Sequence, residues 1–173
     1  MYNKECILII YKCNLFEGNT EVKMYYYLIV IAIILLDQFT KYFAITHVKN
    51  VVTIPIIENI FHLTYAENTG AAFSILSNKI PLLTIVTSIF IICLLIYMSK
   101  MIIEKKGFQW MTLALTFVIG GAIGNLIDRI RFAYVVDFFE FRFIQFAIFN
   151  VADTFIVVGS ILLIICILLE EKA

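Results

Sequence analysis

The sequence predicts an all-α polytopic membrane protein, with four transmembrane helices and a small β-containing extracytoplasmic platform. Composition is the first reason, because 62% of the 173 residues are hydrophobic and only 15% are charged. The mean hydropathy of +0.98 is too high for a soluble chain of this length to hide its apolar residues in one core. The second reason is a set of long apolar segments, and the third is a run of alternating aromatic and charged residues.

Four segments are long enough to cross a bilayer, which requires about 20 mainly apolar residues. They are residues 24–43, 80–99, 108–127 and 150–169. Together, residues 24–173 form one predicted membrane domain. The preceding residues 1–23 hold an apolar run too short to span and no small-residue cleavage site. We interpret them as a tail, either a short cytoplasmic extension or sequence upstream of a true start at Met24.

The distribution of lysines predicts the orientation of the chain. Lysines are concentrated in the tail and in the link at 100–107, and such segments favour the cytoplasmic side. Both ends of the chain would then be cytoplasmic. The net charge is zero and there is no long basic run, so no nucleic-acid partner is expected. The four cysteines lack metal-binding spacing, and we expect neither a disulfide nor a bound metal.

The acidic residues of the spans gather at the outer face in this topology. Asp37 lies about 20 Å along the first helix from Met24 at about 1.5 Å per residue. Asp128 closes the third span and Asp153 opens the fourth. Because buried carboxylates are costly, each of them needs a partner or a function.

Each acidic residue has a structural explanation as an alternative. Asp37 and Lys41 are four residues apart on one helix and would neutralise each other. Asp128 stands beside Arg129 and would form a structural ion pair. Asn150 and Asp153 match an N-cap residue and the third-position acid of a helix. The remaining candidates are two histidines without ligand spacing, best explained as loop residues, His47 and His62.

Asp137 is harder to explain structurally, because it lies in the apolar stretch VVDFFEF. Downstream of it, Phe139, Phe141 and Phe143 alternate with other residues, a period typical of a half-buried strand or interfacial ribbon. Such a ribbon would return Asp137 toward Asp153. Two adjacent carboxylates share a proton, which makes one a general base and the other a general acid. An aspartic protease uses such a pair.

Five blocks of sequence carry a resemblance to a known family. They are DQFTK at 37–41, ENTGAAFS at 67–74, GGAIGNLIDR at 120–129, VVDF at 135–138 and FNVAD at 149–153. Their order resembles the signature of lipoprotein signal peptidase, also called signal peptidase II. The resemblance covers residues 24 to about 169. The segment between VVDF and FNVAD is a couple of residues shorter than expected for the family.

The resemblance implies a bacterial membrane aspartic endopeptidase that removes signal peptides from diacylglyceryl-modified prolipoproteins. It implies multi-pass insertion in the cytoplasmic (inner) membrane, an extracytoplasmic active site, contacts with membrane lipids, no cofactor and a monomer. The family's catalytic pair falls on Asp137 and Asp153 and excludes Asp128. The resemblance assigns cleft-lining roles to Asn68, Asn125, Arg129 and Asn150. It implies that backbones approach closely at Gly70, Gly120, Gly121 and Gly124. Asp37 and Lys41 would brace the first helix.

Other functional classes remain open from the residues alone. An ion-coupled transporter would also carry intramembrane acids, but it would show internal repeats and charges near the midplane. An intramembrane serine protease needs a Ser/His pair within the spans, and both histidines lie outside them. Presenilin-like and prepilin-type peptidases use a GxGD sequence that is absent here. A passive membrane scaffold is the last alternative. Cleavage of a lipidated precursor by the purified protein would separate all of them from a signal peptidase.

Overall fold

A computed structural model of the protein describes residues 4–70, 79–104 and 109–170. The described chain contains helices and a three-stranded antiparallel sheet. The helices are α1 (Lys4–Phe43), α2 (Ile80–Glu104), α3 (Trp110–Phe132) and α4 (Val151–Glu170). The strands are β1 (Thr53–Ile57), β2 (Phe61–Asn68) and β3 (Val135–Phe141). A π-helical turn, Ala44–Val48, extends α1 toward the sheet.

Four helical segments are long and apolar enough to cross a membrane: Met24–Val48, Ile80–Glu104, Trp110–Phe132 and Val151–Leu169. Their starts lie within two residues of the predicted ones, and three of them extend further than the sequence indicates. Helices continue past the last apolar residue because backbone hydrogen bonding does not depend on hydropathy. The prediction of an all-α polytopic membrane protein with a small sheet is confirmed.

Helix α3 forms the centre of the bundle, and its glycines allow the other helices to approach closely. A Cβ atom on Gly120 would lie 3.0 Å from Ile33 of α1. On the adjacent face of α3, a Cβ on Gly121 would lie 2.4 Å from the carbonyl oxygen of Ala152 in α4. The contacts of α3 with α1 and α4 therefore depend on the absence of these side chains.

The sheet lies against the end of α1 and presents Asp137 beside the start of α4. Its strand order is β1-β2-β3, and Asp137 pairs with Ala66 of β2. After β3 the chain turns back, and Phe149 exchanges backbone hydrogen bonds with Phe139 at 2.8 and 3.1 Å. This bridge returns the chain to β3 one residue before Asn150, which opens α4. The predicted return of Asp137 toward Asp153 is thus produced by backbone pairing.

A small apolar core holds the sheet in place. It consists of Ala44 and Val48 of the π-helical turn together with Val136 and Phe138 of β3. Since Val136 and Phe138 flank Asp137 and are both buried, they fix the strand at the position of the carboxylate.

Two sequence-based boundaries differ from the structure. The predicted ribbon at 139–144 is a strand at Val135–Phe141 followed by turns, because residues 142–145 turn the chain back toward Phe149. The third span, predicted to end at 127, continues further, since Arg131 and Phe132 complete α3 before the left-handed residue Ala133 ends it. Helix α1 runs without a break from Lys4 through position 24.

Candidate active site

Asp137 lies in the middle of β3 with its side chain buried, and only 3% of the residue is exposed. Each carboxylate oxygen accepts a hydrogen bond from a side-chain amide. Asn68 Nδ2 donates to Oδ2 at 3.0 Å, and Asn150 Nδ2 donates to Oδ1 at 2.6 Å. The carboxyl group is therefore held by β2 on one side and by the start of α4 on the other.

Asp153 lies in the first turn of α4 and forms a reciprocal cap with Asn150. The Asp153 backbone N–H donates to Asn150 Oδ1 at 2.9 Å, and the Asn150 backbone N–H donates to Asp153 Oδ2 at 3.2 Å. The other carboxylate oxygen, Oδ1, accepts a hydrogen bond from Asn125 Nδ2 at 2.8 Å. This position at a helix N-terminus favours negative charge.

Asn150 links the two carboxyl groups directly. It is fully buried, and its side-chain oxygen must accept from the Asp153 backbone. Its Nδ2 therefore faces Asp137 and also lies 3.2 Å from the carbonyl oxygen of Val136. Asn150 thus contacts both carboxylates predicted from the sequence, Asp137 through its side-chain NH₂ group and Asp153 through its backbone N–H.

Burial has the largest effect on the protonation of Asp137. Removal from water, reinforced by the negative charge of Asp153, raises the Asp137 pKa from its ordinary value of 3.8 to about 7. The hydrogen bonds from Asn68 and Asn150 oppose this change without cancelling it. A carboxyl group with this pKa exchanges its proton near neutral pH, as a general acid requires.

A second cluster of charges lies behind the first. Lys41 Nζ lies 2.9 Å from Asp37 Oδ2 and 3.0 Å from Asp128 Oδ2. The pairing of Asp37 with Lys41 follows the sequence prediction. The sequence also predicts a pair of Asp128 with Arg129, and the structure instead gives Lys41 as the ion-pair partner of Asp128. The reason is geometric, since the side chains of neighbouring residues on a helix point about 100° apart and do not face each other.

Gln38 joins this cluster, although its position in DQFTK is the only sequence signal for it. Its Nε2 donates to Asp128 Oδ1 at 2.9 Å, to the Gly124 carbonyl at 3.2 Å and to Asp37 Oδ2 at 3.3 Å. A Cβ atom on Gly124 would lie 2.5 Å from Asp37 Oδ2. Gly124 thus leaves room for the carboxylate of α1 to enter the α1–α3 interface.

Arg129 of α3 contacts the segment that follows β2. Its Nη2 donates to the Gly70 carbonyl at 3.3 Å, and the Gly70 N–H donates to Asn68 Oδ1 at 2.9 Å. The buried Nε has no hydrogen-bond partner among the described residues. The loop beyond Gly70, which includes positions 71–74 of the ENTGAAFS block, lies outside the described residues. The same holds for Lys105, Lys106 and Gly107 of the link between α2 and α3.

Two further polar residues of the platform are Glu67 and His62. Glu67 forms an exposed ion pair with Lys49 at 3.0 Å. Hydrogen bonds from Lys49 and from Tyr65 lower the pKa of Glu67. His62 lies on β2 with both ring nitrogens buried and unpartnered among the described residues. In the described part of the chain, no group of three or more His, Cys, Asp or Glu residues could hold a metal ion.

The fold and the site together define a polytopic membrane enzyme with two linked carboxyl groups, one buried and one half-buried, at one end of its helices. Residues 29–169 match the sequence profile of the family described as Signal peptidase (SPase) II. The chain therefore belongs to the signal peptidase II family, whose members are lipoprotein-processing hydrolases.

Individual relatives and solved structures agree with this assignment. The chain is 45% identical to the lipoprotein signal peptidase of Halothermothrix orenii over 84% of its own length and 97% of the relative. It is 44% identical to that of Clostridioides difficile over 86% of its length and 98% of the relative. A solved structure described as a bacterial membrane enzyme is similar with a TM-score of 0.76 at 34% identity, covering 84% of this chain and 88% of that one.

Proposed function

We propose that this protein is an aspartic endopeptidase that cleaves the signal peptide from diacylglyceryl-modified bacterial prolipoproteins. Membership of the signal peptidase II family supports prolipoproteins as the substrates. The observation that carries the aspartic mechanism is the contact of Asn150 with both Asp137 and Asp153. The two carboxyl groups belong to one hydrogen-bonded unit and titrate as a pair.

Asp153 is the general base in this proposal, and Asp137 is the general acid. Asp153 lies at a helix N-terminus and accepts hydrogen bonds at both oxygens, which favours its ionised form. Asp137 retains the shared proton, because its pKa of about 7 is close to neutral pH. A water molecule between them gives a proton to Asp153 as its oxygen attacks the carbonyl carbon preceding the lipid-modified cysteine. Asp137 then protonates the leaving amine.

Neighbouring donors would stabilise the oxyanion that develops on the scissile carbonyl. The buried Nε–H of Arg129 has no partner in the described structure, while its Nη2 donates to the Gly70 carbonyl. Asn68 ends β2, and its side-chain amide, which donates to Asp137, is a second candidate donor. Donors already held in place in a partly dry site contribute more than donors in water.

The membrane supplies the second part of substrate recognition. The outward faces of α1, α2 and α4 are apolar, as exposed Leu35, Ile85 and Ile161 illustrate. The diacylglyceryl chains would lie in lipid against these faces, which fixes the scissile bond at the level of the dyad. We place the protein as a monomer in the bacterial cytoplasmic membrane, with its site at the extracytoplasmic face and without a cofactor.

Turnover of a lipidated prolipoprotein peptide by the purified protein in bicelles tests this function. Asp137→Asn and Asp153→Asn should each abolish cleavage while the peptide still binds. Glu58→Gln, in the exposed turn between β1 and β2, is a matched control and should cleave normally. A precursor without the diacylglyceryl group should be processed poorly. Serine-directed reagents, thiol-directed reagents and metal chelators should leave activity unchanged.

The chemical route is tested by trapping. Since water attacks directly, cleavage in ¹⁸O-labelled water should place the label in the new carboxylate of the signal peptide. No covalent adduct of enzyme and substrate should accumulate after rapid acid quenching. Recovery of an acyl-enzyme, or full activity in either asparagine variant, would refute the mechanism.

A further inference from the structure

Lys41 is a buried cation with three acceptors at hydrogen-bonding distance. Only 2% of its side chain is exposed. Its ammonium group lies 2.9 Å from Asp37 Oδ2, 3.0 Å from Asp128 Oδ2 and 2.9 Å from Asn125 Oδ1. A lysine ammonium has three N–H donors, so all of them are used. No donor remains for a substrate, and Lys41 is not placed to touch one.

The two carboxylate partners of Lys41 hold the backbone immediately before each dyad residue. Asp128 Oδ2 accepts a hydrogen bond from the Val136 N–H at 3.1 Å. Asp37 Oδ1 accepts one from the Ala152 N–H at 2.9 Å. Val136 precedes Asp137 on β3, and Ala152 precedes Asp153 on α4. One ammonium group therefore joins the two backbone anchors of the dyad.

The third partner of Lys41 contacts Asp153 itself. Asn125 Oδ1 accepts from Lys41 at 2.9 Å and from Asn150 Nδ2 at 3.1 Å, while Asn125 Nδ2 donates to Asp153 at 2.8 Å. If the Asn125 amide rotated by 180°, its NH₂ group would face two donors and its oxygen would face a carboxylate. Lys41 thus opposes the rotation that would remove a donor from Asp153.

We propose that Lys41 is a positioning residue for the peptidase reaction, acting on the dyad through Asp37, Asp128 and Asn125. This inference rests on the proposed function, because it takes Asp137 and Asp153 as the reacting groups. Stability alone is a weak explanation for the cluster, since buried ion pairs often contribute less than apolar residues of similar volume. The cluster links α1, α3, β3 and α4, the four elements that must be in register for the dyad to form.

The charge of Lys41 also acts on the dyad. The charged groups around the site are Asp37 and Lys41 on α1, Asp128 and Arg129 on α3, Asp137 on β3 and Asp153 on α4. The positive charge of Lys41 lowers the pKa of Asp137 and opposes the effect of burial. Loss of this charge should make the Asp137 proton harder to remove, which moves the upper-pH limb of the activity profile to higher pH.

Lys41→Met tests the proposal in the lipidated-peptide assay. It should lower kcat by about tenfold or more, leave KM within about twofold and move the upper-pH limb to higher pH by about one pH unit. The matched control is Lys100→Met. Lys100 also pairs with an acid four residues away, Glu104 at 3.8 Å, but that pair is exposed on α2. The kcat and pH profile of Lys100→Met should equal those of the unmodified enzyme.

A second variant removes one of the two carboxylates that Lys41→Met leaves unpaired. In Lys41→Met/Asp37→Asn the net charge of the cluster is unchanged, and the new amide at position 37 keeps an oxygen for the Ala152 N–H. The pH limb should return toward its original position, while kcat stays low because the Asn125 amide is no longer held. Thermal unfolding in bicelles reports folding of each variant. A restored pH limb with a low kcat would separate the positioning effect of Lys41 from the effect of its charge.

Several outcomes would overturn the proposal. One is an unchanged kcat in either folded Lys41 variant, and another is a rise in KM with kcat unchanged. Failure of both variants to fold would assign Lys41 a structural role only. Asp153→Asn in the same assay distinguishes the two proposals: activity in that variant overturns the dyad itself. An inactive Asp153→Asn beside a fully active Lys41→Met overturns only the role of Lys41.

Discussion

Asn150 and Asp153 cap each other across the first turn of α4, and the capping asparagine also contacts Asp137. The side chain that starts the helix has its oxygen on the Asp153 N–H at 2.9 Å and its NH₂ group 2.6 Å from Asp137. Helix initiation and dyad geometry therefore depend on one residue. The two contributions can be separated, because a cap requires only the oxygen and the dyad contact requires the NH₂ group.

Asn150→Ser should separate stability from activity. Serine is as good an N-cap as asparagine, so the free energy of unfolding should change little, while loss of the NH₂ group should lower kcat by about a hundredfold. Asn150→Ala loses both functions and should cost a further ~1 kcal/mol of stability. Thermal unfolding and peptide cleavage measure the two effects. Full activity in Asn150→Ser would contradict the bridging role.

The capping pair shows what a sequence can predict about such a site. A cap is a local motif, and the spacing of Asn150 and Asp153 is sufficient to predict it. The spans are predictable for a similar reason, since hydropathy over about 20 residues is a local property. The position of Asp137 needs one further inference, a returning ribbon, and the Phe149 bridge provides that return.

Contacts between distant segments could not be predicted in the same way. Asp128 stands next to Arg129 in the chain but pairs with Lys41, which lies on a different helix. Gln38 gives no signal by itself, because its three acceptors come together only when α1 packs against α3. Interhelical pairing depends on helix rotation and on glycine-dependent close packing, and neither is visible in one sequence.

Asp128→Asn should retain measurable turnover, whereas Asp137→Asn should retain almost none. An asparagine at position 128 still offers an oxygen to the Val136 N–H, so β3 stays in place. The loss is one ion pair to Lys41, which should reduce kcat by about tenfold without abolishing it. Initial rates on the lipidated peptide, with folding checked by thermal unfolding, provide the test. Complete and equal loss in both folded variants would place Asp128 in the catalytic set.

Gly121→Ala should damage activity and stability together. The added Cβ would lie 2.4 Å from the Ala152 carbonyl, and backbone cannot move aside as a side chain can. Separating α3 from the first turn of α4 would lengthen the Asn125–Asp153 hydrogen bond and cost about 1–3 kcal/mol. Gly159→Ala is the control, because it clashes with the Ala114 carbonyl at 2.8 Å in the same helix pair. It should lose stability but keep more activity per folded molecule.

The proposed topology predicts where reporter fusions become active. A reporter fused after Glu104, at the end of α2, should behave as cytoplasmic. One inserted after Glu58, between β1 and β2, should behave as extracytoplasmic. Alkaline phosphatase and green fluorescent protein fusions at both positions provide complementary readouts. Phosphatase activity at Glu104 would place the dyad on the wrong side of the membrane for a substrate lipidated at the outer face.

The raised pKa of Asp137 predicts the upper limb of the pH profile. Its value of about 7 lies above the ordinary 3.8, so the group keeps a proton in the folded protein where the unfolded chain has lost it. As the pH rises through about 7, the dyad loses its acid, and kcat/KM should fall about tenfold for each further unit. Initial rates from about pH 5 to 9 measure this limb. An unchanged rate across that whole range would contradict the assignment.

The same pKa makes stability depend on pH in a direction that can be checked independently. Between about pH 4 and 7 the folded protein binds more protons at Asp137 than the unfolded chain, so the free energy of unfolding should fall as the pH rises. The slope from this group is at most about 1.4 kcal/mol per pH unit. Asp137→Asn should remove that slope. Asp153→Asn should reduce it without abolishing it, because burial, the larger cause of the raised pKa, persists when the neighbouring charge is gone.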